Sequence, residues 1–304
     1  MVLGGGLAEG GEDLEDLEDF GDAGNAGDNP GGSNPNPVGA VAETYFISKF
    51  EVSRDIVTKA NAGGGLGITL ADMSSLGGNG PNRPATGISW YEAATFVNYL
   101  NTSQGFDPAY NFDSIGGTFS LLEVGDTLDY DPSNPYRSIR SNYWLPDVDE
   151  WYKAAYFDPV SDTYFDYPTG QNVGDPPTAV MSGVLDGTAV YNQATNTGPA
   201  DIDNAGGLSP FGTMAQGGNA IEWEETAFDL TNSSPTQDRG LRGGAWNSNE
   251  DDLRSSERLG IGPAAEGVGL GFRVAGASVV PEPSGAVLAV LGLMGVLMSR
   301  RRGR

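Results

Sequence analysis

Three stretches of the 304-residue chain carry apolar residues at helical spacing, each beside a residue able to cap a helix. Ser53 stands ahead of Ile56, Val57 and Ala60, which fall on one helical face. Ser89 and Glu92 have capping-box spacing, with Trp90, Ala93, Val97 and Leu100 recurring at helical intervals. Asp147 and Glu150 repeat the box ahead of Trp151, Ala154 and Ala155. The pattern predicts three short helices whose apolar faces are core. Residues 44–50 (TYFISKF) are rich in β-formers and predict a strand, with shorter strands expected at 239–246 and 270–275. The remainder is punctuated by 46 Gly and 19 Pro, which predicts turns and loops more than regular structure. The expected class is therefore α+β, irregular and loop-rich.

Both ends break the pattern. Residues 9–28 are dense in Asp and Glu with no basic residue, the mark of a solvated, disordered leader. A weak helix over 12–20 is the other reading, because Leu14, Leu17 and Phe20 stand three apart. The Asn/Pro/Gly stretch 29–39 reads as a linker or long loop. At the other end, Pro281-Glu282-Pro283 opens a run without charge to Ser299, closed by Arg300, Arg301, Arg302 and Arg304. Seventeen positions at ~1.5 Å each barely reach the ~30 Å of hydrocarbon in a bilayer, so length alone also allows a core helix. The Pro pair, the Arg cluster and the absence of a polar face favour a transmembrane helix over 283–299. The positive-inside rule then puts the Arg cluster in the cytoplasm and residues 1–280 outside.

Composition narrows the chemistry. There is no Cys and no His, which removes thiolate nucleophiles, disulfides, imidazole bases and every metal site built on those ligands. Forty-one acidic residues against 16 basic give a net charge of −25, so phosphate backbones are repelled and nucleic acid is not an expected partner. Divalent cations are the natural counter-ions. With 38% hydrophobic and 10% aromatic residues, the body can still bury a core.

The order Pro-Glu-Pro, apolar helix and Arg-rich end over 280–304 resembles the PEP-CTERM sorting signal of exported bacterial proteins. That resemblance implies handling by an exosortase-type transpeptidase, although MVLGGGLAEG at the N-terminus shows no export signal. The body resembles the formylglycine-generating enzyme (sulfatase-modifying factor) family. The runs FISKFEVS (46–53), RPATGISWYEAATFVNYLN (83–101), YWLPDVDEWYKAA (143–155), YPTG (167–170), GTMAQGGNAIEW (212–223), RGLRGGAW (239–246) and GFRVA (271–275) occur in family order. It implies a variant of the C-type lectin fold over residues 20–277, between an acidic leader (1–19) and the sorting and anchor segment (278–304).

Family enzymes oxidise a substrate Cys through copper held by two Cys. Ser248 and Leu253 stand roughly where those two would fall, and soft Cu(I) selects neither a hydroxyl nor an alkyl chain. The iron-dependent relatives need His. Copper and iron chemistry are therefore not expected. The resemblance also implies calcium on the carbonyls of Gly218 and Ala220 and the carboxylate of Glu222, with Ala215 where relatives carry Asp. A structural turn without metal is the other reading of that run. Asp201 and Asp203 begin like an EF-hand loop, but Ala205 and Gly212 fill its fifth and twelfth positions. They lie near the family's other calcium region, for which Asn192 is a further candidate, and an Asx-rich turn without metal remains open. The glycine runs 63–67 and 267–271 lack the strand-to-helix setting of a nucleotide loop. Arg242, Arg254, Arg258 and Arg273 read as salt-bridging residues in an acidic domain. The expectation is an exported, surface-anchored, non-catalytic protein of the cell envelope or exopolysaccharide matrix, binding a polysaccharide or protein. The alternatives are an enzyme of the same superfamily with an unidentified, non-copper, non-iron chemistry, and a purely structural envelope protein.

Overall fold

The computed structural model describes residues 17–20 and 23–277. All three predicted helices form where their caps place them. Helix α1 (Arg54–Gly64) starts with the Ser53 side chain accepting from the Ile56 N–H, and Gly65 ends it at φ 65°, where glycine carries no Cβ penalty. Helices α2 (Trp90–Ser103) and α3 (Val148–Tyr156) both open with complete capping boxes, Ser89 with Glu92 and Asp147 with Glu150.

The strands are short. Strands β1 (Leu17–Phe20) and β2 (Tyr45–Ser48) precede α1. Between α2 and α3 come β3 (Asn111–Phe112), β4 (Phe119–Ser120), β5 (Tyr130–Asp131), β6 (Asn134–Ser138) and β7 (Tyr143–Trp144). After α3 come β8 (Phe157–Asp158), β9 (Thr163–Tyr164), β10 (Thr178–Ala179) and β11 (Thr188–Ala189). Last are β12 (Ile221–Ala227), β13 (Arg239–Arg242), β14 (Leu259–Ile261), β15 (Leu270–Gly271) and β16 (Ala275–Ala277). One sheet has the order β1-β2-β16-β7, antiparallel throughout, and a second the order β14-β13-β12-β15. The others form two-stranded ribbons. The predicted strand at 239–246 is thus β13, stopped by Gly243 and Gly244 at φ 90° and 71°. The one expected at 270–275 divides into β15 and the start of β16. The main core joins Trp90, Phe96 and Val97 of α2 to Trp223, Phe272 and Val274. A second cluster packs Trp151, Tyr152 and Tyr156 of α3 around Val38.

The N-terminal region differs from its reading. Leu17–Phe20, part of the expected acidic leader, pairs in register with β2. An open sheet edge recruits a strand through backbone groups and asks little of composition. The stretch expected to be a linker is a strap bound to the body. Asp28 and Val38 exchange backbone hydrogen bonds, and Val38 is fully buried. The Gly39 N–H donates to Asp149 Oδ1 at 2.7 Å, the Tyr152 hydroxyl donates to Asp28 Oδ2 at 2.6 Å, and the Asn34 amide reaches the carbonyls of Ser255 and Ser256. The expected anchor, 283–299, and the sorting motif lie outside the described residues. Among the described residues no helix is long and apolar enough to cross a membrane.

Strand β12, reading IEWEETA, runs through the centre of the second sheet with Glu222, Glu224 and Glu225 fully buried. Each is answered by arginine. Arg273 grips Glu222 through Nε and Nη2, both at 2.7 Å. Glu224 takes Arg242 at 2.5 Å on one oxygen and Arg258 at 2.7 Å on the other. Glu225 accepts from the Tyr110 hydroxyl at 2.8 Å and the Asn134 amide at 2.5 Å, with Arg137 at 3.6 Å. The salt-bridging expected of Arg242, Arg258 and Arg273 is therefore interior. Arg254 instead pairs with Asp251 nearer the surface. Removing one partner of such a buried pair costs about 3–5 kcal/mol, because the other charge is left without a partner. Glu224→Ala, which strands two arginines, is expected to lose stability in that range by urea unfolding. The exposed Asp251→Ala should stay within about 0.5 kcal/mol of the parent.

Buried carboxylates also set the pH response. Burial, then the neighbouring Asp147, pushes Asp149 up to about 7 and Glu150 up to about 8. Burial likewise raises Glu225 and, more strongly, Glu51. Folded pKa values above the unfolded ones mean that the native state binds more protons between roughly pH 4 and 8. Their stabilising contribution is complete below the unfolded values and is lost as pH rises through 7 and 8. Below about pH 4 the exposed Asp72, Asp113, Asp131 and Asp229 and the half-buried Asp158, lowered by hydrogen bonds, pull the other way. The Tm should therefore peak near pH 5 and fall by about 4 °C or more on going to pH 8, with a shallower fall in Asp149→Asn. A maximum at pH 8 would refute this assignment.

Candidate functional site

The loops after β11 and β13 and the run leading into β12 meet around Asn219. The Asn219 N–H donates to the Val190 carbonyl, and its own carbonyl accepts from the Trp246 N–H at 3.0 Å. Its side-chain oxygen accepts from the Ala200 N–H at 2.7 Å, and its amide donates to Glu51 Oε2 at 2.5 Å. Asn219 sits at φ 60°, a left-handed conformation that Asn tolerates better than most residues. Glu51 Oε1 accepts from the Ala220 N–H at 2.9 Å. Burial first, and Glu222 second, hold the Glu51 carboxyl well above the ordinary range despite Arg273 nearby.

The six expected metal-site residues divide into two settings. Gly218, Ala220 and Glu222 are buried beside this hub, Gly218 at φ 89° with its Cα facing the Val190 carbonyl so closely that a Cβ would collide. Asn192, Asp201 and Asp203 are exposed. Chain connectivity brings them near one another: Val190 bridges Gly218, the Asn192 N–H donates to the Ser248 carbonyl, and Ala200 docks on Asn219. The side chains are not gathered. Both oxygens of Glu222 are engaged by Arg273, and Oε2 also accepts from Trp151 Nε1 at 2.6 Å. A calcium ion on Glu222 would have to displace that guanidinium, so this side chain does not fit the ligand role. Among the described residues no three Asp or Glu side chains assemble as a metal site. Ala215, where an acidic ligand was looked for, stands at φ 66° and packs among Met73, Val190 and Trp246.

Ser248 and Leu253 do come together. Both flank Gly244, with Ser248 Cβ and Leu253 Cδ1 each 3.1 Å from the point where a Gly244 Cβ would stand. Their surroundings carry no trace of a soft-metal site. Ser248 Oγ accepts from the Ala245 N–H at 3.1 Å and closes a turn. Leu253 is fully buried in an apolar cluster with Tyr167, Ala189 and Tyr191, and its carbonyl accepts from the Tyr156 hydroxyl at 3.2 Å. A hydroxyl and an isobutyl group offer no thiolate or thioether, so the pair does not fit copper. Beside it, Arg254 Nε donates to the Tyr167 hydroxyl at 3.0 Å.

With this geometry in place, the comparisons decide the family. The profile of the sulfatase-modifying factor enzyme 1-like domain matches residues 1–278. The chain belongs to this family. No curated protein sequence matches it. Among solved structures, the domain is similar to Treponema denticola variable protein 1, at a TM-score of 0.62 and 22% identity over 86% of this chain and 95% of that one. A structure of CarF matches at 0.58 and 16% identity, covering 87% and 98% of the two chains. PvdO from Pseudomonas aeruginosa matches at 0.50 and 16%, covering 86% and 92%. At these identities the likeness is one of fold. The sulfatase-modifying factor-type, loop-rich α+β architecture expected from the ordered motifs is the one observed.

Motif reading located Ser248, Leu253 and the run around Asn219 but missed Glu51 and the commitment of Glu222. A lone Glu after a strand reads as surface, and Arg273 lies far away in sequence. The adjacency of Ser248 and Leu253 is testable directly. Ser248→Cys combined with Leu253→Cys should bind one Cu(I) per chain in competition with a chromogenic chelator. Either single variant should bind far more weakly.

Proposed function

We propose that this chain is an exported, surface-anchored binding or matrix protein that uses its sulfatase-modifying factor domain as a non-catalytic scaffold. The observation that carries the reading is Leu253, a core side chain packed on Tyr167 and Tyr191 at a position the family resemblance assigns to a copper ligand. Ser248 beside it serves a turn, and the whole sequence contains no Cys or His to replace them. The alternative reading, an enzyme with another chemistry, would need a reactive group facing open space. Of the carboxylates with raised pKa, Glu51, Glu150 and Glu225 are buried and hydrogen-bonded to protein donors, and the half-buried Asp149 accepts from the Gly39 N–H.

In this reading the Pro-Glu-Pro motif, the apolar run 283–299 and the terminal arginines act as a sorting signal and membrane anchor. The partner at that end is an exosortase-type transpeptidase, and the destination is the cell envelope or its extracellular polysaccharide. Calcium enters only through the backbone carbonyls of Gly218 and Ala220 and the exposed Asn192, Asp201 and Asp203, which are hard oxygen donors.

The test offers the protein a Cys-containing sulfatase peptide with copper and oxygen and looks for an aldehyde by hydrazide labelling and mass spectrometry. No aldehyde above the copper-only control is expected. Aldehyde formation that depends on the protein would overturn the non-catalytic reading.

A further inference from the structure

A groove of about 570 Å³ runs between the second half of α2 and the loop segment that carries β3 and β4. Its size is that of a small-molecule site. Three features of its walls specify what it would hold.

The first is charge. In a chain of net charge −25, Asp107 is the one charged side chain among the lining residues, and Arg140 matches it at 2.6 Å. Neither a cation nor an anion finds a counter-charge there, and the acidic surroundings repel phosphates. The second is a pair of fixed aromatic rings. Tyr99 lies against Gly63 and Gly64, where a Cβ would overlap its hydroxyl and its ring respectively, and Phe112 packs on Phe119 with centroids 5.5 Å apart. Both rings are half-buried, so each keeps some surface open. The third is the state of the polar groups. Asn98 accepts from the Tyr110 N–H at 2.8 Å and donates to the Tyr110 carbonyl at 2.7 Å, which pins the β3 segment to α2. By contrast the Tyr99 hydroxyl and the Asn111 amide make no hydrogen bond to any described residue.

Together these form a rigid, neutral cleft with immobilised rings and unengaged polar groups at its wall. A purely apolar ligand would strip water from the Tyr99 hydroxyl and Asn111 amide without replacing their hydrogen bonds, at a cost of about 1–3 kcal/mol each. A charged ligand gains nothing. A neutral sugar satisfies both demands: its C–H face lies on an aromatic ring, whose face is the negative side of the quadrupole, and its hydroxyls pair with the amide and phenol. Fixed rings also lower the entropy cost of binding.

We propose that this groove is a binding site for a short neutral oligosaccharide, held by Tyr99, Asn111 and Phe112. The site deepens the binding reading above but shares no residue with Ser248 or Leu253. Aldehyde formation would overturn that reading and leave the groove standing, whereas a silent groove would leave the missing copper ligands as they are.

Saturation-transfer NMR on the full-length chain in a non-glycosidic detergent tests it with maltotetraose, cellotetraose, laminaritetraose and chitotetraose. Transfer to at least one is expected. Its affinity should fall at least tenfold in Asn111→Ala, which removes an unengaged amide, and in Thr102→Trp, which fills the groove from the exposed face of α2. Both variants should unfold at the parent temperature. No transfer to any of the four sugars, or transfer that both variants leave intact, overturns the proposal.

Discussion

The interaction on which the rest of this domain depends is the neutralisation of three glutamates inside one strand. Glu222, Glu224 and Glu225 of β12 have no contact with solvent, and an ionised carboxylate in that position is tolerated only with a cation and further donors around it. The arginines arrive from far apart in sequence: Arg137 from β6, Arg242 from β13, Arg258 from the turn before β14, and Arg273 from the segment between β15 and β16. Each pair therefore ties a distant segment to the central strand. A one-residue slip of β12 would turn its carboxylates away from their partners, so the pairs fix register as well as proximity.

This arrangement alters what the composition means. Several of the sixteen basic residues are consumed in the interior, Arg239 included, which stacks its guanidinium 4.4 Å from the Trp90 ring and 4.0 Å from the Tyr136 ring. Buried glutamates match them nearly one for one, so the acidic excess of the chain falls on the surface. Against such a surface a groove without unbalanced charge is a deliberate exception, while clusters of exposed Asp in turns are simply what the rest of the exterior looks like.

What could be read in the sequence was local. The three helices follow from Ser53, from Ser89 with Glu92, and from Asp147 with Glu150, because a cap and its partner lie within one turn. The strap over 23–41 was not legible. Its Asn, Pro and Gly content is that of a linker, and what orders it are bonds from Asn34 to Ser255 and Ser256 and from Gly39 to Asp149. The grip of Arg273 on Glu222 was not legible either, because the motif shows the carboxylate and the arginine lies far away in sequence. The groove escaped notice for a related reason: Tyr99 and Asn111 acquire meaning only once Asn98 pins one segment to the other.

The same separation explains how the domain keeps its fold with no Cys or His in its sequence. The buried charge pairs and the Trp90–Trp223 core form one body of structure, and Ser248 and Leu253 belong to a neighbouring loop packed on Tyr167 and Tyr191. Leu253 there is an apolar side chain in an apolar cluster, and its burial stabilises the loop. Ser248 Oγ accepts the turn hydrogen bond from the Ala245 N–H, which holds the loop's shape. Nothing in β12 has to change. A scaffold held by interior arginine–glutamate pairs tolerates change in its outer loops and grooves.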